Sequence, residues 1–249
     1  MNEHDQKNMK RVMELAERAR QTGIYTYSGF HSVRTAGLAY EVADERELRM
    51  WSGTQDCERV VTRFGDPQEM AYDEPFPIRI LYVRPKNEKF ADKLTHRDYL
   101  GAILNLGIER DVIGDIIVAD QAAYFFVLEE MADYICSELD RIKHTAVVCS
   151  ITDEVPVDCL PKLCEENITV SSPRLDAIIA KVYHISRSEA LKLFVSEKIT
   201  LNGRLCRNPE ILLKDNSKIS VRGYGKLEYR GEEHATKKGK TGITIWRYV

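Results

Sequence analysis

The chain has 249 residues, 43% of them hydrophobic and 30% charged, a composition that suits one to three soluble globular domains and excludes extended disorder. No stretch approaches the roughly 18 consecutive apolar residues of a membrane span, and residues 1–7 lack the basic-then-apolar pattern of a secretory signal, so a cytoplasmic protein without membrane contact is expected. The net charge of −3 conceals a polar distribution: residues 1–170 hold 20 Lys/Arg against 31 Asp/Glu, whereas residues 171–249 hold 16 against 8, which points to a polyanion at the C-terminal end.

Residues 5–21 read as an amphipathic helix with Met9, Val12, Met13, Leu15, Ala16 and Ala19 on one side, stopped by Gly23. The spacing of Val33, Ala36, Leu38, Ala39 and Val42 predicts a second helix over 32–47, with Ser32 as its N-cap. Together these define an N-terminal helical region, residues 1–50. Ser52-Gly53 marks a turn, and residues 59–64 alternate like a half-buried strand before Gly65-Asp66-Pro67.

The centre predicts a strand over 78–83, then a helix opened by Thr95-His96-Arg97-Asp98 as a capping box with Asp98 in the usual place of Glu. Two β-rich runs, 115–119 and 122–128, flank Asp120-Gln121, a connection of hairpin length. A helix over 129–141 and a strand over 145–151 follow. This order, strand, helix, strand, strand, helix, strand, is that of a split βαβ plan, so a ferredoxin-like (α/β plait) domain is expected over 51–151. Residues 152–170, with Pro156, Pro161 and a run of acids, read as a linker whose end, Ile168-Thr169-Val170, starts or pairs with the last domain. The fold class is α+β.

In residues 171–249, Leu175, Ile178, Ile179 and Val182 give one apolar face to a short helix. Ser186 caps a second, which carries Ala190, Leu191, Phe194 and Val195. Residues 199–201 form a strand, Asn202-Gly203 a tight turn, Lys214-Asp215-Asn216-Ser217 another turn, and residues 218–222 a second strand. The exposed positions carry Arg174, Arg187, Lys192, Lys198, Arg204, Lys218 and Arg222, with Lys226, Lys237 and Lys238 beyond them.

This succession resembles the RNA-binding domain of bacterial ribosomal small-subunit protein four: two helices plus a small antiparallel sheet. The module is shared with pseudouridine synthases, tyrosyl-tRNA synthetases and a small heat-shock ribosome-binding protein. The resemblance implies that the helices face RNA, with Arg174 and Arg187 on phosphates and the Ser186 hydroxyl beside them at a helix start. Asp176, an acid in a basic site, is expected to orient an arginine or cap the first helix. Its one departure is Lys-Asp-Asn at 214–216 where that family has Gly-Asp; Asn tolerates the left-handed backbone the turn requires.

Across the whole chain, Leu94-Thr95-His96-Arg97-Asp98-Tyr99-Leu100-Gly101-Ala102, with Gly107-Ile108 and Ile113-Gly114-Asp115-Ile116, is similar to the signature of the YlmH family. That resemblance implies a non-enzymatic factor that binds the large ribosomal subunit, its RNA and peptidyl-tRNA, in quality control of stalled nascent chains. His96, Arg97, Tyr124 and Phe126 are candidates for a secondary RNA contact, the aromatics by stacking bases on an open sheet face; interdomain packing and local capping are their plainer roles. A monomer is expected, with no catalytic residue, cofactor or metal site.

Other readings stay open. Arg174-Leu175-Asp176 echoes the catalytic aspartate motif of pseudouridine synthases, but plain amphipathic helix follows it. An rRNA methyltransferase would need a Gly-rich strand–turn–helix loop, and Gly223-x-Gly225 is followed by Glu228 and no helix. A cell-division-linked adaptor would use the acidic body as a protein dock. The six cysteines are dispersed; Cys159 and Cys164 make a poor zinc pair, and all are expected to be reduced.

Overall fold

A computed structural model describes residues 3–41, 43–54, 57–235 and 240–248, with the side chains of residues 3–8 and 232–235 outside the description. The chain divides into two compact units, residues 1–160 and 161–249.

The first unit opens with α1 (Glu3–Thr22), followed by β1 (Thr26–Tyr27), β2 (His31–Ser32), α2 (Val33–Gly37), β3 (Leu48–Trp51) and β4 (Arg59–Phe64). β4 pairs antiparallel with β1, β2 and β3. The helix expected over 32–47 is therefore corrected. Ser32 does cap α2, its hydroxyl accepting from Thr35 N at 3.1 Å, but only a 3-10 turn at Leu38–Glu41 prolongs it. The Asp44 carboxylate then draws the chain into a turn by accepting from Arg46 N. Residues 1–50 are not a purely helical region, since three short strands close on β4.

A short α3 (Pro67–Met70) leads to β5 (Ile78–Pro85), α4 (His96–Leu104), β6 (Ile113–Ala119), β7 (Ala122–Leu128), α5 (Glu129–Glu138), β8 (Arg141–Ile142) and β9 (Thr145–Thr152). The sheet runs β6-β7-β5-β9-β8, antiparallel throughout. β5-α4-β6 and β7-α5-β9 are thus interleaved βαβ units, with each helix crossing over an intervening strand. One sheet face carries Leu81, Val83, Phe125, Val127 and Val147 into a core with Tyr99 and Ile103 of α4 and Ala132 and Ile135 of α5. The other face packs Ile80, Tyr124 and Phe126 against Phe30, Val61 and Val155.

A half-buried arginine fastens the N-terminal segments to this sheet. Arg59 donates to Phe30 O at 2.5 Å, Ile113 O at 2.9 Å and Arg110 O at 3.0 Å. The Asp115 carboxylate accepts Glu58 N at 2.8 Å and Arg59 N at 2.9 Å. Burial, with Arg110 close by, pulls the Arg59 pKa down to about 10, so it remains a cation at neutral pH. Gly29 and Gly114 allow the close approach: a Cβ at Gly29 would meet Asp111 at 2.9 Å, and one at Gly114 would meet Phe30 at 2.7 Å.

The second unit comprises β10 (Leu163–Val170), α6 (Leu175–Val182), α7 (Arg187–Val195), β11 (Ile199–Leu201), β12 (Arg204–Leu205), β13 (Ser217–Val221), β14 (Gly225–Ala235) and β15 (Thr241–Tyr248). Its sheet runs β10-β15-β14-β13-β11-β12, again antiparallel. Residues 163–167 belong to that sheet and are not linker, while Ile168-Thr169-Val170 pairs with the last domain as expected. Residues 163–170 pair along their whole length with β15, from Leu163↔Tyr248 to Val170↔Thr241. Both helices pack on one face, where Leu175, Ile178, Ile179, Val182, Leu193 and Phe194 meet Ile219, Leu227, Ile243 and Ile245. No helix among the described residues is long and apolar enough to cross a membrane.

Candidate nucleic-acid interface

The second unit carries 17 Lys/Arg against 10 Asp/Glu, and its best-organised cations stand where the two helices begin. Arg174 is the N-cap of α6. The first free N–H groups of α6 are already used, since Leu175 N donates to Ile211 O at 3.1 Å and Asp176 N to Pro209 O at 3.0 Å. The α6 start therefore offers side chains, not backbone donors, to an anion.

Asp176 is buried, and two arginines converge on it. Arg174 Nε donates to Oδ1 at 3.1 Å, and Arg187 Nη2 to Oδ2 at 2.9 Å. Arg174 Nη2 also reaches Glu210 at 2.8 Å. The Asp176 hydrogen bond, ahead of Coulombic attraction, raises the Arg174 pKa. The Asp176 side chain is 3% exposed and that of Arg187 54%, so the carboxylate is an internal brace and a guanidinium faces water. Asp176 thus orients both arginines, and the N-cap position of α6 belongs to Arg174.

Ser186 caps α7, as expected, and the structure adds a capping box with Glu189. Its Oγ accepts Glu189 N at 3.2 Å and donates to the Glu189 carboxylate at 2.7 Å, which also accepts Ser186 N at 2.8 Å. These bonds hold the Glu189 carboxyl below its ordinary pKa and occupy the Ser186 hydroxyl.

Turns bring the other candidates together in pairs. Arg222 N donates to Lys198 O at 2.9 Å, so those residues lie side by side. The Asn202 side chain accepts Lys218 N at 2.8 Å, placing Lys218 beside the Asn202-Gly203 turn that leads to Arg204. Both turn residues have positive φ, as has Asn216 in the Lys-Asp-Asn turn.

The candidates do not form one surface. Strand alternation sends Ile219, Val221 and Leu227 into the helix-covered core and turns Lys218 and Lys226 to the opposite, helix-free face. The expected RNA-binding residues are therefore divided, with Arg174 and Arg187 at the helix starts and Lys218 and Lys226 on the helix-free sheet face. Lys237 and Lys238 lie outside the described residues.

Two aromatic arrangements are not evident in the sequence. Tyr183, at the end of α6, and the exposed Tyr224 of the β13–β14 turn have ring centroids 5.3 Å apart. Burial pushes the Tyr183 pKa up to about 12, and its hydroxyl has no hydrogen-bond partner among the described residues. On the helix-free face the Arg230 guanidinium stacks 3.5 Å above the Trp246 ring. Arg222-Gly223-Tyr224 is the available signal for the first; the second joins strands whose pairing no local pattern reveals.

In the first unit, His96 and Arg97 are exposed at the start of α4. Asp98 accepts from Thr95 N and Thr95 Oγ1, both at 2.8 Å. Tyr124 and Phe126 are corrected as base-stacking candidates. Phe126 is 0% and Tyr124 9% exposed, because Phe30, Val61 and Val155 cover that face; Tyr124 stacks instead on Tyr82, centroids 4.9 Å apart.

Residues 72–154, the segment holding the β5–β9 sheet, match the family model described as "Putative RNA-binding domain in YlmH". This segment is thus similar to that family's domain, in keeping with the resemblance drawn from the Thr95-His96-Arg97-Asp98 segment. A curated relative, "Ribosome-associated protein quality control protein P2" of Bacillus subtilis (strain 168), is 30% identical over 166 residues, 65% of this chain. The matched region spans 64% of that relative's length. Among solved structures, "Cell division protein ylmH from Streptococcus pneumoniae" is 21% identical and covers 61% of this chain and 93% of its own, with a TM-score of 0.49.

Proposed function

We propose that this chain is a non-enzymatic, cytoplasmic RNA-binding factor that works on the ribosome as a monomer. In this reading the second unit is a domain of the ribosomal-protein-four type, and the interleaved βαβ sheet of the first is ferredoxin-like. The RNA is that of the large subunit together with peptidyl-tRNA, and the task is quality control of stalled nascent chains. The observation that carries the reading is the Arg174–Asp176–Arg187 brace. A buried carboxylate fixes two guanidinia at the start of adjacent helices, in a unit with excess positive charge. Fixed planar donors suit phosphate oxygens. The name of the Bacillus relative supports the ribosomal setting.

Co-sedimentation with large ribosomal subunits over a salt series tests the proposal. Association should weaken steeply with salt, and Arg187→Ala with Lys192→Ala should lower the log–log slope by about 1 for each phosphate that is no longer bound. Salt-independent association, or an unchanged slope in the double variant, would sink it.

A further inference from the structure

The first unit holds 19 Lys/Arg against 29 Asp/Glu, yet one end of its central sheet is basic. Residues 84–97 contain Arg84, Lys86, Lys89, Lys93 and Arg97 against two acids, Glu88 and Asp92. Backbone and side-chain bonds lash this segment to the β8–β9 hairpin. β5 and β9 pair at Arg84↔Val148, and Lys86 N donates to Ala146 O at 2.9 Å. Asp92 N donates to Thr145 Oγ1 at 2.8 Å, while the Asp92 carboxylate accepts from His144 N at 3.3 Å. Lys143 Nζ lies 2.7 Å from Asp98. The hairpin thereby adds Arg141, Lys143 and His144 to the same end of the sheet.

The nearby acids are largely spent on holding this end together. Asp92 accepts within the hairpin, and Asp98 is shared between Thr95 and Lys143, which leaves Glu88 and Asp140 exposed. Lys86, Lys89, Lys93 and Arg97 are also exposed and enter no ion pair among the described residues. Arg97 occupies the first turn of α4, where the helix dipole disfavours cations, so local folding does not account for it.

Within this run of cations in the sequence stands Phe90, 76% exposed, the most exposed large aromatic among the described residues. The 3-10 turn Glu88–Phe90 is capped by Asn87, whose side chain accepts Lys89 N at 3.1 Å, and Lys89 Nζ lies 5.7 Å from the ring centroid. An exposed ring beside a lysine, in a segment rich in exposed cations, matches a ligand with a flat apolar face and anionic flanks.

We infer that this end of the central sheet is a second RNA-contact surface, in which Lys86, Lys89, Lys93 and Arg97 bind phosphates flanking an unpaired base stacked on Phe90. The inference rests on the proposal that the chain binds RNA, and it puts stacking at the rim of the domain, its sheet-face aromatics being buried.

The test uses the full chain, an RNA hairpin with one bulged 2-aminopurine, and the same hairpin fully paired. The fourfold variant Lys86→Ala, Lys89→Ala, Lys93→Ala, Arg97→Ala should lower the salt slope by about 0.7–0.9 for each phosphate it ceases to bind, about 3 when all four engage. Phe90→Ala should leave that slope unchanged, weaken binding to the bulged hairpin about tenfold, and abolish the fluorescence quenching that stacking produces. Its binding to the paired hairpin should stay as in the unmodified chain. All five side chains are exposed, so melting temperatures should hold; if the fourfold variant unfolds, Phe90→Ala and Lys93→Ala decide alone. Should the unmodified chain bind neither hairpin, the RNA-binding proposal itself fails. Should it bind while Phe90→Ala keeps full affinity and quenching, or the fourfold variant keeps its slope, this surface alone is overturned. Crosslinks on the ribosome from residues 84–97 to protein and none to RNA would overturn it equally.

Discussion

Replacing Asp176 by Asn sets two effects of opposite sign against each other. Considered as charge alone, Asp176→Asn removes an anion from a basic site and should tighten RNA binding. For a phosphate about 7 Å away across solvent the Coulomb gain is about 0.6 kcal/mol, roughly threefold. The structure opposes this with positioning. Asp176 holds Arg174 Nε at 3.1 Å and Arg187 Nη2 at 2.9 Å, and freeing two such side chains costs about 0.5–1.5 kcal/mol each when RNA must order them again. The sum, about 1–3 kcal/mol, outweighs the Coulomb gain. Fluorescence anisotropy on labelled RNA should show affinity about 2- to 50-fold lower at physiological salt, on the scale of tenfold per 1.4 kcal/mol. Stability should fall as well. Charge-assisted bonds to a buried group are worth about 1.5–3 kcal/mol, which solvent screening of the partly exposed guanidinia reduces to about 1–2 kcal/mol. That corresponds to about 4–16 °C in melting temperature for a unit of this size. Binding equal to or tighter than that of the unmodified chain, measured well below the melting point, refutes the positioning argument.

Phe126→Ala should destabilise the first unit by about 3–5 kcal/mol, because the ring is fully buried beneath Phe30 and Val61. RNA affinity of the folded variant should not change; loss of affinity without loss of stability, compared by calorimetry and anisotropy, would return Phe126 to the interface. For Asp98, the Lys143 hydrogen bond first, then those from Thr95, bring the pKa down to about 2, below the roughly 3.9 of an unfolded chain. Its contribution is therefore complete above about pH 4 and lost as pH falls towards 2. Lys143→Met should raise the Asp98 pKa in a carboxyl NMR titration, and an unchanged value would show that the ion pair is idle.

Local chemistry was legible wherever it is decided within a few residues. Ser186 announces the start of α7, Asn202-Gly203 its hairpin, and Asp120-Gln121 the β6–β7 connection, because capping and left-handed turns depend on side chains three or four positions apart. The strand Leu48–Trp51 was not legible: four residues carry no period, and its partner β4 lies beyond the Ser52-Gly53 turn. Residues 163–167 read as linker because their acids and cysteine suit solvent; they are strand because β15, about eighty residues on, supplies a full ladder. The alternation of Tyr124 and Phe126 correctly placed both on one sheet face. What covers that face is set by Phe30 and Val61, from segments far upstream that no local pattern links to β7. Asp176 was expected to orient an arginine or cap the first helix; it holds two arginines, the second from α7, eleven residues away.

The family match and the charge distribution point at different ends of the chain. Residues 72–154 match a domain described as RNA-binding, yet hold 9 Lys/Arg against 16 Asp/Glu. A uniformly acidic domain would be repelled by a polyanion. The conflict disappears once charge is counted by surface. Phosphate attraction decays within about 8 Å at physiological salt, so the proposed contact at residues 84–97 would act on RNA almost independently of acids on distant faces. The same screening length explains why the second unit tolerates Asp176 and Glu210, whose charges close onto Arg174 and Arg187 within 3.1 Å. Two basic surfaces on two units of one chain then need not be strong singly. When one is engaged, the join between the units holds the other at high effective concentration near the same RNA, and the combined affinity can exceed either by about 10²–10⁴. That gain exists only on an RNA large enough to meet both surfaces. A short hairpin should therefore bind weakly through either surface, and a ribosome tightly through the pair.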